Sequence, residues 1–315
     1  MSLVSIIIPC YNAADSIADA ISSALAQQRV EFEVIVVDDG STDDSRNVIA
    51  QFGSKVRSKF GPNRGAPAAR NLGLGMAAGT WIQFLDADDL LKPDCVASKL
   101  DFAEKIQAVN IIPCCRVVPR EGDEGYFPEQ MFLEEYSLET LFSIGPPQTS
   151  APLHRRSSLE TIGGFREELV CCQETDLHLR LAVTQGAHFA VSPRVGVELR
   201  RLGQSISSNW SPAKELVLVG VIERAANEAN ENNVLSNSLS KAIAQRLQIS
   251  ARYLWRNGQK NEARATNRLA RSYSKGWADI YPQPKRVFVK TFGFRFSSWV
   301  DEQLRRKIVF FKNGD

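Results

Sequence analysis

The sequence predicts an α/β fold, a mostly parallel, doubly wound sheet followed by an α-helical extension. Three observations predict it. Apolar runs of strand length at residues 5–9, 33–37 and 81–85 alternate with segments whose apolar residues repeat at helical spacing. Two of those runs stop abruptly in carboxylates, at Asp38-Asp39 and at Asp86-Ala87-Asp88-Asp89. Beyond residue 204 the alternation gives way to long helical stretches.

Ser5-Ile6-Ile7-Ile8-Pro9 reads as a buried strand, and residues 15–28 as a helix carrying Ile17, Ala20, Ile21, Ala24 and Leu25 on one face. A second strand at 33–37, a helix at 44–52 and a third strand at 55–60 follow. Asn63-Arg64-Gly65-Ala66-Pro67 is a loop, 68–78 a helix ending near Gly79, and 81–85 another strand. After Lys92-Pro93 a helix runs to Gln107, then a strand spans 110–118. Residues 119–130 form a polar loop, Gly145-Pro146-Pro147 is a break, and 169–183 is a helix whose start is acidic. Helices at 214–230, 239–255 and 261–271 complete the chain, with a domain boundary near residue 210. Residues 1–210 are expected to form one α/β domain and 211–315 a helical, basic region.

The net charge of +2 conceals an asymmetry. Residues 241–315 carry 17 Lys and Arg against 5 Asp and Glu; the rest carries 21 against 31. An acidic body with a basic tail favours anionic partners at the tail. The six cysteines form no CxxC pair and no ligand spacing with the three histidines, which points to a reducing, cytoplasmic setting. The first residues lack a basic leader region, and no apolar stretch reaches spanning length.

In an open α/β sheet, ligands gather outside the carboxyl ends of strands. The two acidic clusters therefore fall in one crevice, and clustered carboxylates that repel one another are suited to holding a cation. Asp86 and Asp88, at i and i+2 after a strand, can turn towards one hard divalent ion whose shell is completed by water and phosphate oxygens. A solvated acidic loop is the alternative. Asp39 can accept from a nucleobase or ribose hydroxyl, while Ser41-Thr42-Asp43-Asp44 also suits a helix cap. Tyr11 offers a stacking face, and Arg64 and Arg70 can supply charge to phosphate oxygens.

Pro9-Cys10-Tyr11-Asn12, the run from Val36 to Asp43, Asn63-Arg64-Gly65 with Ala69-Arg70-Asn71, and Phe84-Leu85-Asp86-Ala87-Asp88-Asp89 occur in one order and spacing. Together they resemble the family 2 glycosyltransferases of GT-A fold. Arg155-Arg156, Ile162-Gly163-Gly164-Phe165-Arg166-Glu167 and Asp176-Leu177-His178-Leu179-Arg180-Leu181 extend the resemblance over roughly residues 3–207. It implies an inverting, metal-dependent transferase that moves a sugar from a nucleotide-sugar donor to a saccharide or lipid-linked acceptor in polysaccharide or glycoconjugate synthesis. It implies donor contacts at Pro9, Tyr11, Asn12, Asp39, Arg70, Asp86, Arg200 and Arg201. Asp88 is the implied direct ligand of Mn²⁺ or Mg²⁺, supported by Asp86. Glu174 falls at the position of the general base, a Glu where the family commonly has Asp, with Asp176 as runner-up. A second departure is Leu202, where the family often has His. Both departures leave open a non-catalytic nucleotide-sugar binding or scaffold protein. A nucleotidyltransferase is disfavoured by the lack of a Gly-rich phosphate loop in residues 1–30.

The tail offers no comparable motif. From Lys285 basic residues alternate with aromatics, among them Phe288, Phe292, Phe294, Phe296 and Trp299. This pattern suits peripheral contact with the anionic inner face of a membrane, or packing of the aromatics against the enzyme with the basic groups solvated. Nothing in it matches a nucleic-acid-binding motif.

Overall fold

The computed structural model describes residues 3–106, 111–119, 133–200 and 210–274. Residues 120–130 of the loop predicted at 119–130, the Arg201-Leu202 positions and the basic aromatic stretch from Lys285 lie outside them, and Pro119 ends a strand instead. The chain divides into two compact units, Met1–Asn209 and Trp210–Asp315.

The first unit is built on a five-stranded sheet. Its strands are β1 (Val4–Cys10), β2 (Phe32–Asp38), β3 (Arg57–Phe60), β4 (Trp81–Phe84) and β8 (Leu153–Arg155), in the order β3-β2-β1-β4-β8. The first four pair in parallel, and β8 closes the edge antiparallel to β4. β1 is buried at every position, as expected of a central parallel strand covered on both faces. The opposite edge, β3, is exposed throughout and carries Arg57 and Lys59, charges that discourage pairing with another chain.

Pro9 sits in this central strand without cost to the ladder. Ile7 O accepts from Leu85 N, so the odd-numbered residues of β1 present their backbone groups towards β4. The β1–β4 pairing ends at Ile7↔Phe84, so the N–H that Pro9 lacks would have had no strand partner.

The helices α1 (Ile17–Leu25), α2 (Ser45–Ala50) and α3 (Ala66–Met76) connect these strands. α3 begins two residues before its predicted start: Gly65 enters at φ 93° and Pro67 occupies the first turn, where a missing N–H is harmless. After the two-residue β5 (Leu90–Leu91) and α4 (Cys95–Ile106), the chain forms β6 (Ile111–Pro119), β7 (Glu135–Tyr136) and α5 (Leu138–Ser143). Beyond β8 come α6 (Arg156–Thr161), α7 (Gln173–Gln185) and β9 (His188–Leu199). β9 is the centre of a second sheet. It pairs parallel with β6 and antiparallel with β5 and β7. Neither β9 nor the short strands β5 and β7 is read from the sequence.

The second unit contains α8 (Pro212–Glu231), α9 (Asn237–Arg256) and α10 (Lys260–Tyr273). Ser211 and Ser236 cap the first two by accepting from Lys214 N and Leu239 N. The buried Glu215 is paired with Arg246, and Lys260 and Arg264 lie 4.3 and 5.8 Å from the Trp255 ring centroid. No helix of the described residues is long and apolar enough to cross a membrane.

Candidate active site

Parallel pairing brings the chemistry to one edge of the sheet. Cys10 stands opposite Asp38 and Ile7 opposite Phe84, so Tyr11, Asp39 and Asp86 all emerge where their strands end. The strand order reverses between β1 and β4, and this switch point is where α/β sheets open a crevice.

On the β1–β2 side, loops hold one another. Asn12 Oδ1 accepts from Thr42 N at 2.8 Å, and Asn12 N donates to Ser41 Oγ at 3.0 Å. Asp38 is buried against Arg46 Nε at 2.7 Å, and its Oδ2 has no hydrogen-bond partner among the described residues. Asp39 accepts from the backbone of the next loop, Arg64 N at 2.8 Å and Gly65 N at 2.7 Å. Each oxygen thus has one backbone donor, and a carboxylate oxygen retains capacity for a second. Pro9 is buried, whereas Tyr11 is half exposed. The Arg64 side chain lies out in solvent with Glu167.

On the β4 side, Asp86, Asp88 and Asp89 crowd into four residues. Burial first, then the Asp86 charge, pushes the Asp88 carboxyl up to about 6. Burial, Asp86 and Asp88 raise Asp89 well above the usual carboxylate range. Asp89 Oδ2 accepts from Ser150 Oγ at 2.7 Å and Gln148 Nε2 at 3.0 Å. A group of buried and half-buried acids that resist joint ionisation is a site a hard cation relieves. Asp86 and Asp88 therefore fit Mg²⁺ or Mn²⁺, ions that take one or two protein carboxylates and fill the remaining positions with phosphate oxygens and water. Arg200 also bears on Asp88, drawing it down, and donates to Asp15 O at 3.4 Å.

Arg70 joins this cluster to α7. It is 5% exposed, with Nη2 2.8 Å from Asp86 Oδ1, Nη1 3.0 Å from Gln173 Oε1 and Nη1 3.7 Å from Glu174 Oε1. Burial pulls its guanidinium down, and Asp86 followed by Glu174 more than restores it, so the charge is kept.

The acidic start of α7 is four residues later than predicted. Leu169 to Cys172 continue the apolar pattern, but Cys172 adopts φ 59°, a left-handed conformation that interrupts a helix. Glu174 consequently lies in the first turn, where the helix dipole favours a negative charge. Its side chain is 27% exposed. Asp176 is placed differently. It is 2% exposed, and its two oxygens receive Arg166 Nη1 at 2.7 Å and Arg180 Nε at 2.8 Å.

Two sequence motifs separated by over ninety residues meet behind α3. Asn71 Nδ2 donates to Phe165 O and its Oδ1 accepts from Phe165 N, each at 2.8 Å. Gly164, at φ 67°, passes so close that an added Cβ would lie 2.5 Å from Asn71 Oδ1. Phe165 in turn lies under Arg70, 5.3 Å from guanidinium to ring centroid.

Sequence reasoning overlooked the turn Gln148-Thr149-Ser150. Thr149 donates to Glu174 Oε1 at 3.1 Å, and Ser150 Oγ accepts from Asp86 N at 3.2 Å. The one signal for it was the preceding Gly145-Pro146-Pro147 break.

Comparison with known proteins identifies the family and the fold. The family model described as Glycosyl transferase family 2 matches residues 5–163. The chain belongs to that family, and its fold is the GT-A fold. An uncharacterized glycosyltransferase of Rickettsia typhi is 30% identical over 197 residues, 59% of this chain and 61% of that protein. The succinoglycan biosynthesis protein ExoO of Rhizobium meliloti is 40% identical over 121 residues, 38% of this chain and 35% of ExoO. The chain thus matches less than two thirds of the length of either relative. Staphylococcus aureus TarS, solved in complex with UDP-GlcNAc, superposes with a TM-score of 0.71 at 19% identity, covering 98% of this chain and 92% of the TarS fragment. At that identity the likeness is one of fold.

Proposed function

We propose that the protein is an inverting, metal-dependent glycosyltransferase. It would move a sugar from a nucleotide-sugar donor to a saccharide or lipid-linked acceptor in the synthesis of a surface polysaccharide or glycoconjugate. The observation that carries this reading is the buried Arg70, which ties Asp86 of the acidic loop to Glu174 of α7. Arg70 thus joins the proposed base to the proposed leaving-group site, which supports a single displacement with both held in one arrangement. Family membership supports the reaction class, and the ExoO relative supports the polysaccharide setting.

In this reading Glu174 takes the proton of the acceptor hydroxyl as that oxygen bonds to the anomeric carbon. The bond from that carbon to the donor diphosphate breaks on the opposite face, and the configuration inverts. Asp176 is a poorer base because both its oxygens are already engaged by arginines. Asp88 and Asp86 would hold the divalent cation, Mn²⁺ or Mg²⁺, whose contribution when bound is to offset charge on the departing nucleoside diphosphate. In the same reading Asp39, Asn12, Pro9 and Tyr11 would line the nucleoside end, and Arg70 and Arg200 would supply positive charge near the diphosphate.

The test is a thermal-shift panel of UDP-, GDP- and TDP-sugars with and without Mn²⁺, followed by transfer assays with the best donor. A donor should raise the melting temperature only with the cation, and Asp88→Ala should abolish both that shift and turnover. Full turnover by Asp88→Ala would refute the assignment. Binding without transfer to any acceptor would instead identify a nucleotide-sugar binding protein.

A further inference from the structure

The turn Gln148-Thr149-Ser150 belongs to none of the recognised motifs, yet it touches both halves of the site. We propose that Thr149 is a positioning residue for the Glu174 carboxylate, an inference that rests on Glu174 being the base.

Glutamate has one more rotatable bond than the aspartate common at this position, and its terminal torsion is broad. To be effective, a base must lie at hydrogen-bond distance from the hydroxyl it deprotonates, with its position fixed to within about half an ångström. Here Oε1 is held from two sides, by the Thr149 hydroxyl at 3.1 Å and by Arg70 Nη1 at 3.7 Å. Among the described residues Oε2 accepts no hydrogen bond, so it is the oxygen left to take a proton.

Thr149 can do this because the turn beneath it is braced. Ser150 is fully buried, its N donates to Gln148 Oε1 at 2.6 Å, and its Oγ donates to Asp89 Oδ2 at 2.7 Å. Its carbonyl accepts from Gln83 Nε2 at 2.8 Å. Gln83 in turn accepts from Lys99, a lysine with no exposed surface that also donates to Ala151 O at 3.1 Å. A buried ammonium is costly unless hydrogen-bonded, and here its partners are the strand and turn that carry Thr149. Gln148 and Ser150 both point their donors at Asp89, while Thr149 reaches the base. The turn thus references the position of Glu174 to the acidic loop.

The experiment measures release of nucleoside diphosphate from UDP-GlcNAc, UDP-glucose and GDP-mannose with Mn²⁺, water serving as acceptor, alongside donor Kd by calorimetry. The near-isosteric Thr149→Val should lower kcat about tenfold and leave donor Kd within about twofold. Thr149→Ala should behave alike, and Thr149→Ser should restore kcat to within about threefold of the parent. In a Glu174→Asp background, whose shorter side chain leaves the hydroxyl behind, Thr149→Val should change kcat by less than about twofold. An unchanged kcat in Thr149→Val overturns the inference. So does a Thr149→Ser as slow as Thr149→Val, or a tenfold loss that persists in the Glu174→Asp background. If Glu174→Gln is inactive while Thr149→Val is normal, this inference falls and the base assignment stands. Parental activity in Glu174→Gln, or no turnover of any donor by the unsubstituted protein, sinks both.

Discussion

Glu174 and Asp176 lie two residues apart in one helix, both acidic, and a paired substitution separates their roles. Asp176→Asn keeps the shape but removes the charge that faces Arg166 and Arg180. Asp176 is 2% exposed and the Arg180 side chain 7%, so neither can turn to water for compensation. The amide also offers an N–H₂ where an arginine donor sits. Breaking a buried pair on one side costs about 3–5 kcal/mol. Arg166 is 27% exposed and recovers part of its solvation, which favours the lower end, about 3 kcal/mol. For a unit of this size that is a fall in melting temperature of roughly 6–12 °C. Glu174→Gln, at a partly exposed site, should shift the melting temperature by no more than about 2 °C. Its transfer rate should drop by about two to four orders of magnitude, the usual worth of a general base. Differential scanning fluorimetry and diphosphate release on the same preparations read both quantities. Asp176→Asn with an unchanged melting temperature and no turnover, beside an active Glu174→Gln, would refute the reasoning and exchange the two roles.

Three further outcomes follow from the buried groups. His154 and His178 are stacked, Nε2 to Nε2 at 3.2 Å, and each Nδ1 lacks a hydrogen-bond partner among the described residues. Burial pulls His154 down to about 3 and His178 well below the ordinary histidine value, so both are neutral when folded and take up protons on unfolding. The stability they support is present above pH 6.5 and is lost as pH falls below it, at up to roughly 1.4 kcal/mol per pH unit for each ring. Urea midpoints should therefore fall between pH 7 and pH 5, and a His154→Phe/His178→Phe variant should show a flatter profile. Gly164→Ala should destabilise by about 2 kcal/mol, because φ 67° is strained for alanine and its Cβ would press on Asn71; a denaturant midpoint within error of the parent would contradict this. Arg70→Met should lose about 3 kcal/mol without a divalent ion and recover part of it when Mn²⁺ is added, as seen by melting temperature with and without chelator.

The parts of the molecule legible in the sequence are those where one local pattern decides the structure. The fully buried β1 and the run into Asp38 announce themselves as continuous apolar strands, and parallel pairing then dictates that Asp39 and Asp86 share an edge. The helical periods at 15–28, 214–230 and 239–255 locate α1, α8 and α9 to within a few residues. Illegible parts depend on tertiary partners. β5 and β7 are two-residue strands that exist because β9 runs beside them. The start of α7 was misplaced because apolar spacing across Leu169 to Cys172 carries no sign of the left-handed Cys172. The burial of Lys99 follows from Gln83 and Ala151 arriving from other elements, which no local pattern announces. Thr149 is one hydroxyl in a polar turn, and its role emerges only from the position of Glu174.

These partners have a common electrostatic logic. Asp86, Asp88, Asp89 and Glu174 converge on a region where Arg70 and Arg200 are the cations that bear on them. Among the described residues four acids face these two cations, an excess of negative charge that a divalent ion would offset. Burial and mutual repulsion push Asp88 and Asp89 above the ordinary carboxylate range, the direction expected of acids that a bound cation would relieve. A merely solvated acidic loop would lie open to water and show neither effect. Nor would it share a buried arginine with a carboxylate some ninety residues further along the chain, or be braced by a turn whose middle hydroxyl reaches that same carboxylate. Under the proposed function, the arrangement is one preorganised site in which Arg70 joins the base to the acidic loop before substrate arrives.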